Sequence, residues 1–250
     1  MNLPLFWALG RNFGDALSPI LYQVITGREA EHSGISPKIL AMGSILHAAG
    51  AGDIVYGTGC LQASLLPARV DGIQFRALRG PLTADALTRA GAHLSPSLLY
   101  GSPANLLPRY VPASQERTAE IGFLPHYIDY GQVKGLPQGV RLLWTAAEPL
   151  ELVRQITACA LVVSSSLHGL IVAEAYGIPA VWVELSDNVI GGGFKFRDYY
   201  AGTGRTIEPL DWRSRYDWDA ARKTAERSAP YMGMLGCQCD ALLAACPFWE

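Results

Sequence analysis

Val162-Val-Ser-Ser-Ser-Leu-His-Gly169, continued by Leu170-Ile-Val-Ala-Glu-Ala-Tyr176, runs from an apolar segment through three hydroxyls into a helical pattern. The spacing predicts a buried strand over 160–164 and a helix over 167–176, closed by Gly177 and followed by Pro179. A strand that turns directly into a helix is half of a parallel βα unit. The mouth of such a helix offers unpaired N–H groups and the positive end of the helix dipole, which suits an anion. One serine is enough to cap a helix. Three in a row, Ser164, Ser165 and Ser166, with Leu167 behind them, point to a bound ligand rather than to a cap and a packed ring. His168 falls in the first helical turn, where an imidazole reaches a crevice as an acid or base.

The same alternation extends outward. Further apolar runs at 5–8, 39–42, 54–56, 74–78, 120–124, 141–145 and 180–185 predict strands. Helices begin at Pro81, with Gly91 closing the segment, and at Pro149, with Leu150, Val153 and Ile156 at helical spacing. This is the pattern of an α/β protein with parallel sheets. The polar, proline-bearing stretch 109–119 interrupts it and reads as a linker between two domains, 1–108 and 120–250. The last helix is a candidate to cross back onto the first domain. Two open sheets facing one another place a ligand crevice at the carboxyl ends of their strands.

Composition narrows the classes. Half of the 250 residues are hydrophobic and 17% are charged, so the chain folds rather than remaining disordered. A net charge of −2 leaves no basic field for nucleic acid. The five cysteines show no Cys-x-x-Cys pair, and Cys237-Gln-Cys239 with Cys246 lacks a histidine and a fourth thiolate; reduced thiols and no metal are expected. Residues 1–9 are apolar without a basic flank, which reads as a first buried strand, not a signal peptide. No apolar run is long enough to span a bilayer.

Four other places carry candidate chemistry. Arg79, at the end of the 74–78 strand and before Gly80-Pro81, can bind phosphate or carboxylate with two N–H groups; Arg76 stays unassigned. Asp15, in Gly10-Arg-Asn-Phe-Gly-Asp15, is either a helix cap or a carboxylate facing the crevice. His126, in Leu124-Pro-His126-Tyr127, ends a strand and is a second acid/base or a hydrogen-bond donor. Gly191-Gly-Gly-Phe-Lys-Phe-Arg-Asp-Tyr-Tyr200 reads as a mobile loop leading to a basic, aromatic segment; if extended, Lys195 and Arg197 share one side.

Taken in order, Asn12-Phe-Gly-Asp15, Tyr56-Gly-Thr-Gly59, Arg79-Gly-Pro-Leu-Thr83, Tyr100-Gly-Ser-Pro103, Leu124-Pro-His126, Ser164-Ser-Ser-Leu-His-Gly169, Phe194-Lys-Phe196, Asp198-Tyr-Tyr200 and Gly202-Thr-Gly-Arg205 resemble the polysaccharide pyruvyltransferases, especially the short bacterial exopolysaccharide enzymes. The resemblance spans about Phe6 to Arg205. It implies a glycosyltransferase-B-like fold of two Rossmann-type domains around a central cleft. It also implies transfer of the pyruvyl group of phosphoenolpyruvate to two hydroxyls of a sugar, commonly in a lipid-linked oligosaccharide, with a pyruvate ketal and phosphate as products. Phosphoenolpyruvate is then a co-substrate and no other cofactor is expected. The setting implied is cytoplasmic, at the inner face of the membrane, and peripheral contact through Phe248 and Trp249 is an option beside core packing. Oligomeric state stays open.

On that resemblance His168 is the proton donor to the methylene carbon, and Asp15, with His126 as rival, activates the sugar hydroxyl. Arg79, Ser164, Ser165, Ser166, Leu167, Lys195 and Arg197 bind the donor; Asn12, Gly14, Tyr127 and Tyr199 meet the acceptor. The sequence departs from the family at Ser166, where arginine is frequent, and at Ser102, where aspartate is usual. Charge lost at Ser166 must then come from Lys195 or Arg197. Two alternatives stand beside this reading. One is a nucleotide-sugar glycosyltransferase using Glu184 or Asp187; the other is a non-catalytic glycan-binding component.

Overall fold

The four apolar runs of the first half become strands, and a fifth joins them in one parallel sheet, in the computed structural model, which describes residues 3–10, 12–228 and 235–249. They are β1 (Leu5–Phe6), β2 (Ile39–Leu40), β3 (Ile54–Tyr56), β4 (Gln74–Leu78) and β5 (Leu99–Tyr100), adjacent in chain order. Ile39, Leu40, Ile54, Val55 and Tyr56 are all buried, as strands covered on both faces require. Helix α1 (Phe13–Thr26) follows β1, and α2 (Pro81–Arg89) joins β4 to β5.

The second half holds β6 (Ala119–Leu124), β7 (Val140–Leu142), β8 (Cys159–Ser164), β9 (Ala180–Glu184) and β10 (Leu210–Asp211), all parallel, in the order β10-β9-β8-β6-β7. Helices α3 (Pro149–Thr157), α4 (Leu167–Ala175) and α5 (Phe194–Gly202) connect its strands, and α6 (Trp218–Ser228) follows β10. Strand order reverses at β6: β7 lies on one side of it and β8 on the other. A crevice opens outside the carboxyl ends of strands at such a reversal. Here those ends are Leu124-Pro-His126 and Ser164-Ser-Ser166.

The halves are not separate globules. One core runs through both, from Leu5, Phe13 and Leu17 to Leu124, Val162, Leu170 and Trp182. Smaller clusters close the outer face of each sheet, around Leu40, Val55 and Leu78 in one and Phe123, Val163 and Trp212 in the other. The chain passes between the sheets through a 3-10 turn, Pro103–Arg109. Helix α7 (Leu235–Ala244) lies on the first half: Tyr56 Oη donates to the Leu242 carbonyl (2.6 Å), and the Phe248 ring packs against Tyr22 and Tyr56, 5.2 and 5.8 Å between centroids. Phe248 is thus core, whereas Trp249 is exposed.

Two differences from the sequence reading have simple causes. The edge strands β5 and β10 were not anticipated, because two residues show no period. The segment with Lys195 and Arg197 is helical, not extended, so residues two apart point to different sides. Gly191, Gly192 and Gly193 form the turn before that helix with φ of 100°, 53° and 79°, which side-chain-bearing residues rarely adopt.

The described thiols, Cys60, Cys159, Cys239 and Cys246, are buried and none of them is in a disulfide with another; the Cys237 side chain lies outside the described residues. Among the described residues no helix is long and apolar enough to cross a membrane.

Candidate active site

A cleft of about 240 Å³ lies between the halves at the point of strand reversal. Asn12 and Asp15 reach it from the start of α1, Ser44 and His47 from the loop after β2, and His126 and Tyr127 from the end of β6. Ser166, Leu167 and His168 reach it from the mouth of α4, and Lys195 from the first turn of α5. Eight residues singled out in the sequence therefore share one wall-to-wall space.

The triple-serine turn divides its labour. Ser164 Oγ donates to the Leu124 carbonyl (2.6 Å) and accepts from Ser166 N–H (2.9 Å), tying the ends of β8 and β6 together. Ser165 Oγ donates to Asp129 (2.7 Å) and accepts from His126 N–H (2.9 Å). Those two hydroxyls are engaged inside the fold and do not line the cleft. Ser166 starts α4 with no side-chain cap bond and lines the cleft beside the mouth of that helix.

The His168 ring packs against Gly14 of α1. A Cβ on Gly14 would lie 1.8 Å from His168 Nδ1, so Gly14 is the absence of a side chain that the ring needs, not an acceptor contact. Burial, then the charges of Lys195 and Arg79, push the His168 pKa down to about 3. The proton donor expected at this position is therefore a neutral imidazole at pH 7. His126, at the end of the neighbouring strand β6 with its ring 4.6 Å from Tyr127, is likewise held at about 3 by burial and by Lys195.

The Lys195 ammonium is perturbed as well. Burial first, then Arg79, bring its pKa down to about 8, while Asp15 and Asp129 oppose them. Asp15 is shifted the other way: burial raises its carboxyl, partly offset by the Asn12 Nδ2 hydrogen bond (2.8 Å) and by Lys195.

Three expected site residues stand elsewhere. Arg79 is buried behind the wall, its Nε donating to Asp198 (3.0 Å) and its terminal nitrogens to Ser44 Oγ (2.9 Å) and the Cys60 carbonyl (2.5 Å). With those N–H groups engaged it lends the cleft charge rather than a two-pronged grip. Arg197 points outward, over the Trp182 ring (5.4 Å) and paired with Glu208 (2.6 Å). Of Lys195 and Arg197, only Lys195 lines the cleft. Tyr199 is fully buried and donates to Glu174 (3.0 Å), so it cannot meet an acceptor.

Ser102 caps the 3-10 turn after β5, accepting from Ala104 N–H (3.4 Å), so its departure from the usual aspartate keeps a capping oxygen. Glu184 and Asp187, which a nucleotide-sugar reading would assign to ribose, are both ion-paired to Arg213 (2.6 and 3.0 Å). Asp129 has no place in the sequence reading, and Asp198 enters it only as part of a motif, with no role. Each has its partners far along the chain, and no local pattern announces a buried carboxylate.

The two α/β halves thus bring Asp15, Lys195 and the imidazoles of His126 and His168 together in one cleft at a strand reversal. Comparison with known proteins names the group. The polysaccharide pyruvyl transferase family matches residues 41–187, and the chain belongs to that family. It is 30% identical over 179 residues to the uncharacterized protein L143 of Acanthamoeba polyphaga mimivirus, covering 68% of this chain and 61% of that protein. It is 27% identical over 224 residues to the succinoglycan biosynthesis protein ExoV of Rhizobium meliloti (strain 1021), covering 82% of this chain and 66% of that one. The matches thus span less than two thirds of either relative's length. No solved structure matches the chain significantly.

Proposed function

We propose that the chain transfers the pyruvyl group of phosphoenolpyruvate to two hydroxyls of a sugar in a polysaccharide repeat unit, forming a ketal and releasing phosphate. The observation that carries this reading is the meeting, in one cleft, of Lys195, His168 and the uncapped mouth of α4. Family membership and the likeness to a succinoglycan biosynthesis protein support the polysaccharide acceptor.

In this reading the donor's phosphate and carboxylate lie against the α4 N–H groups, the Ser166 hydroxyl and the Lys195 ammonium. Lys195, charged below about pH 8, gives its proton to the methylene carbon and leaves an oxocarbenium-like centre at C2. The first sugar hydroxyl bonds to C2 and its proton passes to His168. A neutral ring is competent to take it, and the bound anion raises its basicity. His168 returns that proton to the departing phosphate as the C2–O bond breaks. The second hydroxyl then closes the ketal, and its proton passes by way of Asp15 back to Lys195. One donor and one diol become one ketal and one hydrogen phosphate, and the protein ends as it began.

The acceptor is placed on the Asn12, Asp15 and Tyr127 side, where Tyr127 stands half exposed at the mouth. A lipid-linked acceptor at the inner membrane face is part of the proposal. Incubation with phosphoenolpyruvate and a panel of synthetic glycans tests it: phosphate release matched by a glycan heavier by one pyruvate ketal is expected. Stabilisation by nucleotide sugars but not by phosphoenolpyruvate in a thermal-shift panel would overturn it.

A further inference from the structure

Asp198 lines no part of the cleft, yet its carboxylate is fully buried between the halves. Oδ1 accepts the Thr83 backbone N–H (2.9 Å); Oδ2 accepts the Thr83 hydroxyl (2.7 Å) and Arg79 Nε–H (3.0 Å). Thr83 is the third residue of α2, so a carboxylate of the second half caps a helix of the first and neutralises the arginine in front of it. The backbones are as close as the side chains. A Cβ on Gly80 would lie 1.8 Å from the Asp198 carbonyl oxygen, and one on Gly202 would lie 2.7 Å from that of Arg79. The other face of α5 is tied to the second half by Phe196 stacked on Trp182 (4.5 Å between centroids). Lys195 precedes Asp198 by three residues, so both project from one side of α5.

We propose that Asp198 is a positioning residue: by clamping α5 to the Arg79–Thr83 turn of the first half, it holds the Lys195 ammonium inside the cleft. The proposal rests on the reading of Lys195 as the acid only for its catalytic consequence; the clamp stands on the contacts themselves. Lys195 is faced by Asp15 on α1, Arg79 before α2, His126 and Asp129 after β6, and His168 on α4. Burial exceeds all of these charges in lowering its affinity for a proton. Releasing α5 therefore hydrates Lys195 and raises its titration midpoint. A purely electrostatic role predicts the reverse, because Arg79 without its carboxylate would repel the ammonium more strongly.

Competitive acetylation of the full chain with acetic anhydride across a pH series, read on the Lys195 peptide by mass spectrometry, separates the two. The wild-type midpoint is expected near pH 8. Asp198→Ala is expected to raise it by about one unit or more, toward the ordinary lysine value of about 10.4. Gly80→Ala changes no charge but drives a methyl into the Asp198 carbonyl, and is expected to raise the midpoint in the same direction. Gly202→Ala, a milder wedge at the same contact, takes its place if either variant fails to fold. An unchanged or lowered midpoint in a folded variant overturns the proposal. Labelling needs no substrate, so a chain that shows these shifts without transferring pyruvate keeps the clamp and loses only the proposed reaction.

Discussion

At the scale of the residue, the cleft works by burial more than by ion pairing. Both its buried imidazoles are kept neutral, and its lysine is brought into the range where protons exchange at physiological pH. Turnover is expected to need the charged form of Lys195 and so to fall as pH rises through about 8, checked by the pH dependence of phosphate release. Lys195→Met should reduce that rate by about 10²-fold or more, with little change in melting temperature. The imidazoles give stability a pH dependence of the opposite sense. Their pKa values fall from the ordinary 6.5 to about 3 on folding, so the unfolded chain binds more protons below 6.5. Stability is complete above that point and is lost as pH falls from 6.5 toward 3; melting temperatures measured from pH 7 to pH 4.5 should drop, and drop less in His126→Gln.

Among elements, the close packing of α1 on α4 matters most. Gly14 lies in the first turn of α1, and the ring of His168 occupies the space where a side chain would stand. Gly14→Ala should leave thermal stability within about 1 kcal/mol, because alanine favours a helix and the ring can swing aside. Phosphate release should fall at least tenfold in the same variant, since the ring no longer sits where the donor does; a loss of about 10-fold is only 1.4 kcal/mol of barrier. A variant that unfolds instead would mean that the contact supports packing rather than chemistry.

For the whole molecule, the shared core decides behaviour. Because Leu5, Phe13, Leu124, Val162 and Trp182 belong to one buried cluster, the halves should melt in a single calorimetric transition, and neither 1–118 nor 119–250 should fold alone. Phe248, returned from the far end of the chain, fills the space between Tyr22 and Tyr56. Phe248→Ala should cost about 3–5 kcal/mol in denaturant titration, while Trp249→Ala, at an exposed position, should be near neutral.

Local pattern carries far in this chain and then stops. Continuous apolar runs between proline and glycine stops announce parallel strands and the helices between them, because a strand buried on both faces must be apolar throughout. The hydroxyl-rich turn before His168 is legible for a similar reason: a helix mouth leaves N–H groups that only nearby residues or a ligand can satisfy. Segment 194–202 is not legible as a helix because period two and period 3.6 are indistinguishable over a few mixed residues, and the helix sends Lys195 and Arg197 to different sides. What only the tertiary structure decided is which polar groups remain free. Ser165 is spent on Asp129, Arg79 on Asp198 and Tyr199 on Glu174, each with a partner 25 or more residues away. Chemical type is written in the residue itself, but its availability depends on distant partners and on burial, and those exist only once the chain has folded.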